Sequence, residues 1–292
     1  MLHEDDAHAA VNAVRAGAAF RGPWPGQAPF AVAISFDSDH ETPWLIAGDT
    51  RPSRLSEAEY GVRRAMPRIL SLLGSANVPA TFFIPAVAAS LHPADVERIV
   101  DGGHEIALHG WAHERPSTLA EGEEERLLHA SLQLFEGNFG LLPRGQRTPS
   151  WDSSDRTLQL AMEAGLLYDS SLMADEEPYL LQFNGSTVSL VEIPVDWIRD
   201  DAMYFLMDRE AGLRPQATPE DVSRIWHREL DVARSEGGLF QLTLHPDIIG
   251  HRSRIGVLEA LISDAADAGG WFATHVDIAA LAAAELLGTT SH

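Results

Sequence analysis

The sequence predicts an α/β fold built as a single β/α domain, and three observations predict it. Short apolar runs alternate with stretches of helical periodicity, the pattern of strands laid parallel with helices between them. The unusual polar clusters fall at the C-terminal ends of those runs, the edge at which β/α barrels and open parallel sheets carry their sites. No linker, repeat or low-complexity tract divides the 292 residues.

Seven runs are expected as parallel strands. They are "FAVAISF" from Phe30, "PATFFIPA" from Pro79, "EIALHG" from Glu105, "GQRTPSWD" from Gly145, "SLVEIPVDW" from Ser189, "LFQLTLHP" from Leu239 and "WFATH" from Trp271. Between the first two, residues 56–74 read as a helix, with Val62, Met66, Ile69, Leu70 and Leu73 at helical spacing and a kink at Pro67. Further helices are expected near 93–101, closed by Gly102-Gly103, and over 121–139, 155–165 and 219–236. Asn184-Gly185 within 181–191 is a hairpin signal. Residues 200–218 form a long loop rich in apolar side chains from Met203 to Met207, read as a lid or a subunit contact. Residues 1–29 are taken as an N-terminal extension and 30–285 as the domain.

Composition removes several functions. A net charge of -22 argues against nucleic acid or an anionic membrane surface as partner. The absence of cysteine excludes disulfides, thiolate zinc sites and cysteine nucleophiles. No run approaches the length of a membrane span, and the acidic N-terminus lacks the pattern of a signal peptide, so a soluble cytoplasmic protein is expected.

The stretch "ISFDSDHETPW" crowds Asp37, Asp39, His40 and Glu41 at the end of a buried strand, which is costly unless something binds the carboxylates. His109 and His113, spaced i, i+4 after another strand, would project to one side if a helical turn begins at Gly110. Two histidines and one carboxylate with an open position suit a catalytic zinc. They also suit the Fe(II) of a non-haem oxygenase, although that chemistry has no use for a separate acid and base. Three more clusters share the rim: Arg147, Asp196-Trp197 and His245-Pro246. Any one alone is equally a capped strand end; five together are not explained by capping.

These elements resemble the five motifs of the polysaccharide deacetylase family, carbohydrate esterase family 4. "SFDSD", "HGWAH", "RTPSW", "PVDW" and "LTLHP" occur in the family's order. The resemblance implies a single-domain, NodB-type deformed β/α barrel. The finer pattern, with "FDSDHETPWL" and "LTLHPDIIGHRSR", is similar to a cytoplasmic branch holding peptidoglycan-deacetylase-like, allantoinase-like and cyclic imide hydrolase proteins. It departs from secreted members, in which glycine follows the metal carboxylate; here His40 and Glu41 would narrow the groove.

The implied chemistry is hydrolysis of a carboxamide C–N bond. Asp39, His109 and His113 are expected to hold a divalent ion, zinc first, with Co2+, Ni2+, Mn2+ and Fe2+ as alternatives. Asp37 is expected as general base and Arg147 as its ion-pair partner. His245 would be the general acid, its tautomer fixed by Asp196. The Ser150 backbone N–H would meet the oxyanion, and Glu41, Trp44, Trp151, Trp197 and Leu244 would line the substrate. Two substrates compete, a small or cyclic amide and an N-acetylated carbohydrate, and a metabolite-binding pseudoenzyme is the reading from another class. Similar cytoplasmic relatives imply a homo-oligomer, a tetramer by resemblance.

Overall fold

A computed structural model describes residues 3–207 and 217–288. Ten strands form one sheet: β1 (Val14–Ala19), β2 (Ala31–Asp37), β3 (Thr81–Ile84), β4 (Glu105–Leu108), β5 (Gly145–Gln146), β6 (Tyr168–Asp169), β7 (Tyr179–Phe183), β8 (Ser186–Glu192), β9 (Leu239–Leu244) and β10 (Trp271–Phe272). Their order is β1-β7-β8-β6-β5-β4-β3-β2-β10, with β9 also paired to β2. Each expected parallel strand is present, joined by β6, a two-residue strand too short to show a period. The Asn184-Gly185 turn has both residues at positive φ and joins β7 to β8 as an antiparallel hairpin. The segment ahead of residue 30 supplies a helix, Glu4–Ala13, and strand β1, which pairs antiparallel with β7.

Alternation along β2 assigns its two faces. Val32, Ile34 and Phe36 join the core packed under the helices, while Ala31 and Ala33 belong to a second, smaller cluster. Ser35 and Asp37 continue that second series and are buried. The parallel register with β9 sets Ala33 beside Gln241 and Ser35 beside Thr243. The inner face thus changes from small apolar to polar toward the C-terminal edge. Helix His275–Gly288 closes it from below through Ile278, Ala279 and Ala282.

β8 and β9 do not pair. The chain between them is stitched to β9 by an isolated bridge from Asp200 to Thr243, and the Asp201 N–H donates to the Thr243 carbonyl at 3.3 Å.

The expected helix at 56–74 is longer and differently interrupted. Helix Pro52–Tyr60 runs into a wider π-turn, Gly61–Ala65, and then into helix Met66–Ala76. Pro67 stands in the first turn of that last helix, where its missing N–H costs nothing, so the irregularity falls before the proline. The helices at Pro93–Asp101, Glu123–Phe139 and Pro219–Glu236 lie where the sequence pattern puts them.

Candidate metal centre

Asp39 follows β2 in a turn closed by Thr42, whose N–H and hydroxyl both donate to the Asp39 carbonyl. His109 follows β4, its N–H donating to the Ile84 carbonyl. The two histidines meet through a tight turn, and the expected helical turn is absent. Gly110 and His113 both take positive φ, while Glu114 accepts the N–H groups of Trp111 and Ala112 at 2.7 and 2.6 Å. Glu114 thereby satisfies donors that a helix would have left open.

One ligand atom from each of Asp39, His109 and His113 lies within 4.8 Å of the other two. The His109 Nδ1–H donates to the Arg147 carbonyl at 2.7 Å, which leaves Nε2 as a bare lone pair. That lone pair faces Asp39 Oδ1 at 3.3 Å, and Oδ1 is buried without a hydrogen bond. Two lone pairs held face to face call for a cation between them. His113 Nε2 stands 3.3 Å from the other oxygen, Oδ2. Burial opposes ionisation of Asp39, yet the adjoining His113 holds its carboxyl well below the usual range. The residues fit a divalent ion.

Asp37 flanks this centre, its Oδ2 3.9 Å from His109 Nε2. Its Oδ1 accepts from Arg147 Nη1 at 2.7 Å, an ion pair in which both partners are buried. His245 Nδ1 donates to Asp201 Oδ1 at 2.7 Å, with Asp200 3.8 Å away. Burial works against a charged imidazole, but Asp201 and Asp200 overcome it and raise His245 well above its ordinary value. The two aspartates thus favour the protonated form of the His245 ring.

Asp196, the expected partner of His245, is used elsewhere: its side chain accepts the Ile198 N–H and caps a short 3-10 turn. That turn carries the chain to Asp201, which reaches His245 instead. Leu244 is also displaced from its expected role. It is fully buried opposite Phe36 in the helix-facing core. Glu41 Oε2 is engaged by His92 Nε2 at 2.7 Å, and the Arg54 guanidinium lies 4.6 Å over the Trp44 ring. Trp151 and Trp197 pack ring against ring at 4.0 Å, with Trp197 43% exposed. Ser150 and Trp151 both adopt left-handed φ, of 57° and 53°. Such strain in non-glycine residues persists only where the surroundings enforce it. Among the described part of the 200–218 loop, Phe205 is buried, whereas Met203, Leu206 and Met207 are exposed. Residues 208–216 lie outside the described residues.

Comparison with known proteins agrees with this geometry. Residues 32–168 match the family model described as polysaccharide deacetylase. A structure solved for a candidate polysaccharide deacetylase from Mycobacterium smegmatis superposes with a TM-score of 0.86 at 34% identity, covering 93% of this chain and 96% of that one. The chain belongs to the polysaccharide deacetylase family. Its members are hydrolases of C–N bonds other than peptide bonds, and this chain is one of them. A peptidoglycan deacetylase of Helicobacter pylori is 29% identical over 250 residues, which cover 74% of this chain and 83% of that protein. A solved PuuE allantoinase is 26% identical with a TM-score of 0.77, covering 88% and 91% of the two chains.

Sequence reasoning missed Asp201, although "DD" at 200–201 was in view four residues after Asp196. It also missed Ser35, Phe83, Ser170 and His275 around Arg147, which come from β2, β3, the end of β6 and the last helix and offer no local signal.

Proposed function

We propose that this deacetylase-family chain hydrolyses a small or cyclic carboxamide, with zinc held by Asp39, His109 and His113. One observation carries the reading: an arginine-paired Asp37 and an aspartate-backed His245 accompany one candidate metal triad. When bound, the divalent ion polarises the amide carbonyl and acidifies a water molecule. Asp37 Oδ2, its other oxygen tied to Arg147, takes the proton of the attacking water. His245 Nε2–H then protonates the departing nitrogen, and Asp201 holds the ring for that transfer. A pseudoenzyme would have no use for this complete acid and base pair.

A small substrate is favoured by the rim. By the resemblance, His40 and Glu41 take the place of a glycine in secreted members, and the Glu41–His92 contact and the packed Trp151–Trp197 pair add bulk to the loops that follow β2 and β5. The similarity to an allantoinase, over most of both chains, supports the same choice. The second reading, an N-acetylated carbohydrate, is supported by the similarity to a peptidoglycan deacetylase. A cytoplasmic homo-oligomer belongs to the same proposal, supported by the exposed Met203, Leu206 and Met207.

The test is a panel run on zinc-reconstituted protein: succinimide-type imides, dihydropyrimidines, allantoin and N-acetylglucosamine oligomers. A cyclic amide should give the highest kcat/KM. Oligomers of four or more sugars exceeding every small amide would overturn the choice. With the best substrate, Asp37→Asn should retain metal and lose about 100-fold or more in kcat.

A further inference from the structure

Arg147 is fully buried and spends all five of its N–H groups. Nε donates to the Ser170 carbonyl at 2.9 Å. Nη1 donates to Ser35 Oγ at 2.9 Å and to Asp37 Oδ1 at 2.7 Å. Nη2 donates to Ser170 Oγ at 2.9 Å and faces His275 Nε2 at 3.3 Å. The two serine hydroxyls give their own protons to the carbonyls of Leu242 and Ile193, so only lone pairs face the guanidinium. The Phe83 ring closes one face of the group, 4.1 Å from its central carbon.

His275 is the one member of this cradle whose acceptor role depends on a tautomer. A guanidinium has no acceptor, so His275 Nε2 must carry a lone pair and the ring proton must be on Nδ1. The surroundings enforce that choice. Nδ1 lies 3.1 Å from Thr81 Oγ1, whose hydroxyl proton goes to Glu105 Oε2 at 2.8 Å, so Thr81 can only accept from the ring. The His275 backbone N–H donates to the same oxygen at 2.8 Å. Burial and the Arg147 charge hold His275 well below its ordinary range, so the ring is neutral. The result is a connected run of hydrogen bonds in which Arg147 donates to Asp37 on one side and to His275 on the other, His275 donates to Thr81, and Thr81 donates to Glu105.

We infer that His275, lying 128 residues from Arg147 on the last helix, is a positioning residue for the hydrolysis. As a neutral Nδ1–H tautomer it accepts the fifth guanidinium proton and fixes the plane in which Arg147 presents Nη1 to Asp37. This inference rests on the assignment of Asp37 as base. Without the acceptor, one buried N–H is unpaired and the guanidinium turns to find another partner, taking the Asp37 carboxylate with it.

Two substitutions and one spectrum test it. Glutamine can offer Arg147 a carbonyl oxygen where Nε2 was, whereas leucine fills similar space with no acceptor. On zinc-loaded protein, His275→Gln should stay within about threefold of the parent kcat, and His275→Leu should lose about tenfold or more at unchanged KM and metal content. A purely space-filling role would rank leucine level with or above glutamine, and that ranking would overturn the inference. In metal-free parent protein, 15N spectra should show Nδ1 of His275 protonated and Nε2 bare at neutral pH, with slow exchange of the Arg147 N–H groups. A protonated Nε2 would also overturn it, whether or not either variant folds. If the parent protein hydrolyses none of the amides, the hydrolase reading has failed, and the spectrum still decides the tautomer.

Discussion

Asp201 supplies the charge that keeps His245 protonated, while Asp196 holds a turn five residues earlier. In the proposed role of acid, His245 with its raised value can give a proton from low pH up to its folded-state value and not above that. Replacing Asp201 with Asn should therefore move the alkaline limb of kcat to lower pH and reduce kcat by about 100-fold near neutrality. Asp196→Asn should leave both close to the parent. A pH–rate profile of the two variants checks the assignment, and the opposite pattern would restore Asp196 to the role the sequence suggested. The motif residues Asp37, Asp39, His109, His113, Arg147 and His245 were legible because each ends a strand at one rim. The carboxylate behind His245 was not. Asp196, Asp200 and Asp201 all follow the same strand, and only the 3-10 turn after Asp196 decides which one reaches the ring.

At the scale of elements, the π-turn Gly61–Ala65 packs against the short helix Pro246–Ile249 that follows the acid. A side chain at Gly250 would run into Ala65 and the Pro246 carbonyl. Gly250→Ala should cost about 1–3 kcal/mol by forcing those elements apart. Gly137→Ala, in the exposed interior of helix Glu123–Phe139 with nothing near its would-be Cβ, should gain about 0.5–1 kcal/mol. Urea melts of both variants check the pair. Long elements were readable because several turns or alternations repeat within them. β6 has two residues, β1 has a glycine and small residues, and the π-turn looks like ordinary helix in sequence. None of these shows a period long enough to recognise.

Over the whole molecule, buried acids set the response to pH. Burial raises Glu105, Glu177 and Asp247 to about 7. A carboxyl whose folded value lies above its unfolded one favours the folded state while protonated. Stability therefore falls as pH rises from the unfolded value to about 7. His245 acts in the same direction, since its protonated form is the folded one. The net charge of -22 adds repulsion over the same interval. Asp39 is shifted down and its contribution is lost at the acid end, whereas His275, shifted down from 6.5, begins to lose its contribution as pH falls below 6.5. The metal-free protein should have its highest Tm near about pH 5 and melt several degrees lower at about pH 8, by calorimetry. A Tm that climbs steadily to pH 8 would contradict the buried-acid account.

The stitch from Asp200 to Thr243 has a consequence for chronology. The metal triad comes from the ends of β2 and β4, both within the first 113 residues. The His245–Asp201 pair needs β9 laid beside β2 and the 200–201 segment drawn across to it, and it is this segment that bridges the gap between β8 and β9. A refolding chain with that gap still open could hold an ion while its His245 lacked Asp201. Metal affinity should accordingly return earlier than turnover, and the lag between them would time the closing of the barrel.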